Sequence, residues 1–191
     1  MVRCLVTIDR SSIRRYASWY QKATEHIRSL YGYDGDFFSR ILSATSPRVA
    51  VKRNWALAAK AYGQWISRRC LYDVRGFCPN HIPNVQRVFQ GLPLHGDKVS
   101  RFAENLSGNL EVVTIDAWIA KAYGISHRAL THGQYLDLEK TMQAEARQCG
   151  LQPAEYQAVV WHVVRQWYGR KDKSFSSVSR KNSQFLFAFC W

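Results

Sequence analysis

Two ionisable residues stand where helices are expected to begin, and their types suit acid–base and nucleophilic chemistry. Asp116 follows an apolar run over 112–115 and directly precedes a second apolar, helix-like pattern, which is typical of a helix N-terminus. Lys98 comes two residues after Gly96, in the glycine-containing turn "LPLHGDK" that joins two helical segments. An ionised carboxylate can stabilise positive charge that develops on a sugar and can orient an attacking water, and a neutral lysine amine can attack carbon.

Both residues also have purely structural interpretations. Aspartate is a favoured N-cap residue, so Asp116 could do no more than start its helix. Lys98 could be a solvated side chain or a contact to a phosphate group, because backbone N–H groups at a helix start favour anions. One helix and a return loop fit between the two positions. Residue types alone leave these alternatives open.

The composition indicates a globular protein with a polyanionic partner. The chain has 191 residues, of which 47% are hydrophobic and 14% aromatic, and this is enough for one compact core. Lys and Arg number 27 against 14 Asp and Glu, which gives a net charge of +13. Such an excess favours nucleic acid as the partner, with an anionic membrane surface second and a merely solubilising charge as the alternative.

Neither a metal centre nor a secreted, disulfide-bonded domain is expected. The cysteines are odd in number and form no C-x-x-C pair, and the histidines show no metal-ligand spacing. The start "MVRCLVTIDR" lacks the features of a signal peptide, and no apolar run reaches the length of a membrane span. We therefore expect reduced thiols, no cofactor, no metal, no membrane association and a cytoplasmic location.

Apolar residues recur with a period near 3.6 along almost the whole chain, which predicts an all-α fold. The predicted helices cover 11–31, 36–43, a longer segment opened by Pro47, 84–90, a stripe over 99–106, a segment from Asp116 to Gly124, 134–148, and a last helix from Pro153 to Trp167. Residues 1–170 are expected to form a single helical domain. The basic and then apolar tail 171–191 could be a DNA-facing arm or a disordered end.

Two stretches carry a resemblance to a known family. "LPLHGDKVSRFAENLSGNLEVVTIDAW" resembles the hairpin segment of helix-hairpin-helix DNA glycosylases, especially the endonuclease III branch. In that family a lysine of the hairpin region and an aspartate after a short loop flank the damaged nucleoside, and these positions fall on Lys98 and Asp116. "ILSATSPRVAVKRNWALAAKAY" is similar to an early helix of the same family and places Thr45 where a polar residue approaches the DNA opening. Together they cover about a quarter of the chain.

The resemblance implies a helix-hairpin-helix glycosylase-like domain that acts as a monomer on double-stranded DNA. It implies cleavage of the N-glycosidic bond of a modified or damaged base that has been flipped from the duplex. Asp116 would be catalytic, and Lys98 would add AP-lyase activity if it attacks the sugar. Trp118, beside Asp116, would line the base pocket. The residues expected to contact DNA are Thr45, Arg48, Lys52, Arg53, His95, Gly96 and Arg101. For Arg48, Lys52 and Arg53 a solvated charged face is the alternative.

Two other functions are compatible with the same residues. The segment "GDKVSRFAENL…VVTIDAW" also resembles small phage-associated glycosylase-like proteins linked to thymine hypermodification, in which the fold would modify a flipped base and retain it. Alternatively, the chain could be a DNA-binding module that keeps the fold and charge without catalysis. The mass of a DNA strand after incubation would separate base loss, base gain and no change.

Overall fold

The protein is described by a computed structural model over residues 4–125 and 130–168. This part of the chain is all-helical and contains no strand, as the hydrophobic periodicity predicted. The helices are α1 Arg10–Tyr16, α2 Trp19–Tyr31, α3 Gly35–Ala44, α4 Val51–Arg68, α5 Ile82–Phe89, α6 Asp97–Leu106, α7 Ala117–Ala122, α8 His132–Gln148 and α9 Pro153–Trp167, with a 3₁₀ turn at Gly32–Asp34. The predicted tail 171–191 lies outside the described residues.

The first predicted helix, 11–31, is two helices in the structure. The Asp9 side chain caps α1 by accepting a hydrogen bond from the backbone N–H of Ser12 at 2.7 Å. Ser18, with ψ 15°, interrupts the helical run before α2 begins. α1 packs on α9, whereas α2 packs on α3 as well as on α6 and α9. An apolar stripe alone does not show such a break, because both halves keep buried faces.

The prediction that Pro47 opens a helix was wrong, since α4 begins at Val51. Arg48 has φ 62°, in the left-handed region, and a residue in that conformation cannot continue a right-handed helix. The carbonyl of Pro47 instead accepts a hydrogen bond from Nε2 of the fully buried His81 at 2.7 Å. Residues 46–50 therefore form a turn that leads into α4.

As the sequence predicted, the glycine-containing turn joins two helical segments, since residues 90–96 connect α5 to α6. The Asn84 side chain fixes the turn by donating to the carbonyl of His95 at 3.0 Å and accepting from its N–H at 2.7 Å. Gly96 then adopts φ 103°, a conformation that favours glycine. This turn sets the direction of α6 and hence the position of Lys98 in its first turn.

Two apolar clusters form the core, and α9 belongs to both. The first unites α2, α3, α4 and α5 with Leu106, Ala154 and Ala158. The second unites α7 and α8 with Val6, the buried residues of the loop over 113–115, and the opposite face of α9. α9 therefore lies at the junction of the two clusters.

The loop that leads to Asp116 is held by side chains of α8. The buried Glu139 carboxylate accepts a hydrogen bond from the N–H of Val113 at 2.8 Å. The Tyr135 hydroxyl accepts from the N–H of Ile115 at 3.0 Å. Because these backbone groups are buried and have specific partners, the position of Asp116 is determined on both sides, by the loop and by α7.

Candidate active site

A partly open pocket of about 110 Å³ lies where α2, α6 and α9 meet the turn before α4 and the loop before α7. An apolar cavity of about 150 Å³ admits benzene, so this space is comparable with a single ring. Four large aromatic side chains and several polar groups form its wall. The lining residues are Trp19, Tyr20, Ser46, Val49, Val51, Asn54, Lys98, Phe102, Thr114, Asp116, Gln157, Ala158, Trp161 and His162.

The Asp116 carboxylate both caps α7 and lines this pocket. Its Oδ1 accepts from the backbone N–H groups of Trp118 at 2.9 Å and Ile119 at 3.0 Å. Its Oδ2 accepts from the indole Nε1 of Trp161 at 2.8 Å. The capping and pocket-lining interpretations therefore hold together, because each oxygen has a different set of partners.

Lys98 lines the same pocket from α6. Its ammonium group donates a hydrogen bond to Oγ of Ser46 and lies 4.9 Å from the ring centroid of Phe102. Burial lowers the pKa of Lys98 to about 8, and the Asp116 carboxylate opposes this shift. A lysine with such a pKa has a substantial neutral fraction just above neutral pH, so it can act as a nucleophile.

His162 contributes an unsatisfied nitrogen to the pocket wall. Its ring stacks on Tyr16, with centroids 4.2 Å apart and planes 8° from parallel. Its buried Nε2 has no hydrogen-bond partner within residues 4–125 and 130–168. Burial, with Arg165 and Arg15 nearby, lowers the pKa of His162 to about 3, so the imidazole is neutral near pH 7. The sequence analysis did not identify this residue.

Gln157 and Tyr20 form a buried polar pair at the pocket. The Tyr20 hydroxyl donates to Oε1 of Gln157 at 2.8 Å. Gln157 is 4% exposed and Tyr20 is 2% exposed. This pair could not be predicted from the sequence, because the two residues lie on helices that are far apart in the chain. Gln157 also stands alone as a polar residue on an otherwise apolar helix face.

Comparison with known proteins places these residues within one family. A family model described as "Family of unknown function (DUF7178)" matches residues 6–168. The chain belongs to this family. Searches of curated proteins and of solved structures found no match. The DUF7178 match includes Lys98, Asp116 and all of α9, so the whole pocket lies within the family region.

The basic residues near α4 differ in their contacts. Arg48 and Lys52 are exposed and flank Val49 and Val51, which line the pocket of this DUF7178 protein. Arg53 is also exposed and donates to the carbonyl of Gly76 at 3.1 Å. Arg48 and Lys52 are therefore well placed for an anion that approaches the pocket.

Thr45 is fully buried, which does not suit direct contact with DNA. Its hydroxyl donates to Oδ1 of Asn54 at 2.7 Å, and Asn54 lines the pocket. Thr45 thus holds the pocket-lining side chain of Asn54 in place. It would contact DNA only after a rearrangement of this hydrogen bond.

Arg101 also points to structural partners. Its guanidinium lies 3.2 Å from Glu104 and 3.2 Å from the buried Glu139. Since Glu139 holds the loop before Asp116, Arg101 neutralises a carboxylate that positions the site.

The N-terminus of α6 has no side-chain cap, but an acidic residue stands in its first turn. Gly96 is the N-cap of α6, and no side chain caps this helix. His95 is exposed beside it. However, Asp97 occupies the first turn and lies 2.9 Å from Nδ1 of His132, so this N-terminus is less favourable for phosphate than the sequence suggested.

Trp118 does not line the pocket, contrary to the expectation from its position beside Asp116. It packs against the second apolar cluster, and the Lys121 ammonium lies 5.7 Å from its ring centroid. Trp161 and Trp19 supply the tryptophan surface of the pocket instead. The position of Trp118 close to Asp116 in sequence does not bring its side chain to the pocket, because residues close together on a helix point in different directions.

The described residues show no grouping of His, Cys, Asp or Glu that could hold a metal ion. In the same part of the chain, none of the helices combines the length and apolarity needed to cross a bilayer.

Proposed function

We propose that this DUF7178 protein is a DNA glycosylase of the helix-hairpin-helix type, which cleaves the N-glycosidic bond of a base flipped out of the duplex. The observation that supports the proposal most directly is that Asp116 and Lys98 line one pocket of single-ring size. The order of a helical hairpin, a lysine in its second helix and an aspartate at the next helix start agrees with the resemblance seen in the sequence.

The pocket chemistry suits departure of a base from a sugar. As the bond between C1′ and the base nitrogen breaks, its electron pair leaves with the base and positive charge develops on the sugar. The Asp116 carboxylate stabilises that charge and orients a water molecule. The water oxygen bonds to C1′ and keeps one proton as the new hydroxyl, while its other proton passes to solvent and the departing base nitrogen takes up a proton from solvent. The nucleotide must leave the base stack, because C1′ is inaccessible within the duplex.

Lys98 is the proposed nucleophile for an additional AP-lyase activity. Its neutral amine attacks C1′, the base departs, and the sugar ring opens to a Schiff base between Nζ and C1′. Loss of a proton from C2′ then expels the 3′ phosphate and breaks the strand. The lowered pKa of about 8 supports this role, since only the neutral amine can attack.

Double-stranded DNA as the substrate is supported by the charge of the chain. The net charge of +13 favours a polyanion, and Arg48 and Lys52 expose cations beside the pocket. We propose that the protein acts as a monomer, with α4 and the hairpin facing the phosphate backbone.

The test is incubation of the purified full chain with duplexes that each contain one modified or mismatched base, followed by mass measurement of the strands. Loss of one base supports the proposal. Asp116→Asn should abolish that loss, whereas Asp137→Asn, an exposed aspartate of α8, should leave it unchanged. Added mass would indicate base modification, and an unchanged mass across the panel would favour a DNA-binding module; either result contradicts the glycosylase proposal.

A further inference from the structure

We propose that Gln157 selects the substrate base by donating a hydrogen bond from its amide to a carbonyl oxygen on a single-ring base of the pyrimidine type. This inference rests on the proposed function, because it assigns the class of base that enters the same pocket. It concerns recognition, so its test does not require bond cleavage.

The side-chain amide of Gln157 has unused hydrogen-bonding capacity. Its Oε1 accepts from the Tyr20 hydroxyl, but its Nε2 donates to no group in the described parts of the chain. The residue is only 4% exposed and lines the pocket. Nε2 is not one of the fully enclosed, unsatisfied atoms of the described residues, so it is accessible from the pocket and can donate to a molecule there. A base in the pocket can supply the acceptor.

Tyr20 determines which end of the amide remains available. The Tyr20 hydroxyl donates to Oε1 of Gln157 in the structure, and burial raises the pKa of Tyr20. Oε1 of Gln157 is then the acceptor in this pair, and the NH₂ group is left for the ligand. The pair therefore presents a donor, which matches a carbonyl oxygen and mismatches an exocyclic amino group.

Apart from Nε2 of His162, which has no partner in the described residues, the neutral polar groups nearby are engaged. Asn54 donates to the carbonyl of Leu42 at 3.0 Å and accepts from Thr45. The Thr114 hydroxyl donates to Oδ1 of Asn105 at 2.7 Å. Gln157 is thus the amide of the described pocket wall whose donors have no protein partner.

The volume of the partly open pocket matches a base of one ring. Its volume of about 110 Å³ is comparable with a six-membered ring, and Trp19, Phe102 and Trp161 supply aromatic surface. A two-ring base would need more room. The predicted ligand is therefore a flat single ring with at least one carbonyl oxygen on the edge that faces Gln157.

The test compares binding of two duplexes by fluorescence anisotropy at pH 7.5. One contains pseudothymidine, a thymine analogue joined to the sugar through carbon, and the other contains the difluorotoluene C-nucleoside, which has a similar shape but fluorine in place of the carbonyl oxygens. Each analogue stands opposite an abasic site, so that neither has base-pair hydrogen bonds to break when it is flipped. Neither can lose its base by N-glycosidic cleavage. We expect the wild-type protein to bind the pseudothymidine duplex about tenfold more tightly, the effect of one buried hydrogen bond.

Gln157→Glu should abolish or reverse that preference, because a carboxylate still accepts from Tyr20 but repels a carbonyl oxygen. Gln157→Met, which removes all polarity, should abolish it without reversal. Gln148→Glu, at an exposed position of α8, is the matched control and should keep the preference. Thermal melting of each variant checks that it is folded.

The outcomes separate this inference from the proposed function. Equal affinity of the wild type for the two duplexes, or an unchanged preference in both Gln157 variants, overturns the role of Gln157 while leaving glycosylase activity to its own test. A preference that depends on Gln157, combined with no base loss from any substrate, supports recognition and contradicts catalysis. Failure to bind either duplex overturns both.

Discussion

The indole N–H of Trp161 donates to Oδ2 of Asp116 at 2.8 Å, while Oδ1 of the same carboxylate caps α7. This arrangement links the start of α7 to the middle of α9. Both oxygens have donors, so the carboxylate is held in one orientation before any substrate arrives. Such fixed charge is effective in catalysis because it needs no reorganisation during the reaction.

Asp116→Asn and Asp116→Ala should separate capping from catalysis. Asparagine is also a good N-cap residue, but its amide nitrogen cannot accept the hydrogen bond from Trp161. Asp116→Asn should therefore keep the cap, lose about 1 kcal/mol of stability and lower base release by about 100-fold or more. Asp116→Ala should lose the same activity and, because the cap is lost as well, about 2 kcal/mol of stability. Urea unfolding and single-turnover base release measure the two effects. Normal turnover in Asp116→Asn would contradict a catalytic role.

Trapping of a covalent complex should depend on pH through Lys98. Below the Lys98 pKa of about 8, the neutral fraction of the amine falls about tenfold each time the pH falls by one unit. The yield of cyanoborohydride-trapped protein–DNA adduct under initial-rate conditions should therefore rise from pH 6 to pH 8 and then level off. Lys98→Gln should form no adduct, and Lys140→Gln, at an exposed position, should behave as wild type. An adduct that survives in Lys98→Gln would show that another amine reacts.

Removal of the Lys98 charge should stabilise the fold at neutral pH. Because the folded-state pKa lies below the ordinary value of 10.5, the unfolded chain binds more protons between about pH 8 and 10.5, and wild-type stability should rise with pH over that window. At pH 7 the cost of burying the ammonium is fully present. Lys98→Met should therefore raise Tm at pH 7, and the gain should shrink towards pH 10. A lower Tm at pH 7 would contradict this account.

His162→Phe should reduce sensitivity to acid. The wild-type imidazole has a folded-state pKa of about 3 against an ordinary value of 6.5, so the unfolded chain binds the extra proton between these values. Stability is therefore lost as pH falls from 6.5 towards 3, by at most about 1.4 kcal/mol per pH unit from this group. Phenylalanine keeps the stacking on Tyr16 but cannot titrate. Urea midpoints at pH 7 and pH 4.5 should differ less in His162→Phe than in wild type.

Salt dependence should distinguish phosphate contacts from structural arginines. Arg48→Gln and Lys52→Gln should each reduce the slope of log K against log salt concentration by about one unit, while Arg147→Gln, exposed at the end of α8, should not. Arg101→Gln should leave the slope unchanged but lower the free energy of unfolding by about 2 kcal/mol, because buried Glu139 loses its cation. A reduced slope in Arg101→Gln would restore its predicted role at DNA.

The sequence predicted most of the helical architecture because the signals for it are local. The start of α9 at Pro153 was found from the proline, and α6 and α8 from their apolar stripes. The presence of Lys98 and Asp116 at one pocket was expected from the resemblance, and the structure brings both to it. These features depend on short segments that periodicity and spacing describe well.

The remainder of the pocket could not be predicted, because it depends on contacts between distant segments. Gln157 and His162 lie on an apolar helix, where a polar residue has no distinguishing pattern until its neighbours from α1 and α2 are known. Trp118 was chosen over Trp161 because it adjoins Asp116 in sequence, whereas the indole that contacts the carboxylate comes from α9. The left-handed backbone conformation of Arg48 could not be predicted either, because no sequence signal requires it at that position.

α9 contributes to both apolar clusters and to the pocket wall. A change of side-chain volume in either core is therefore transmitted to the same pocket wall. Substitutions remote from Asp116 and Lys98 can thus reshape the pocket in members of the family without altering either side chain.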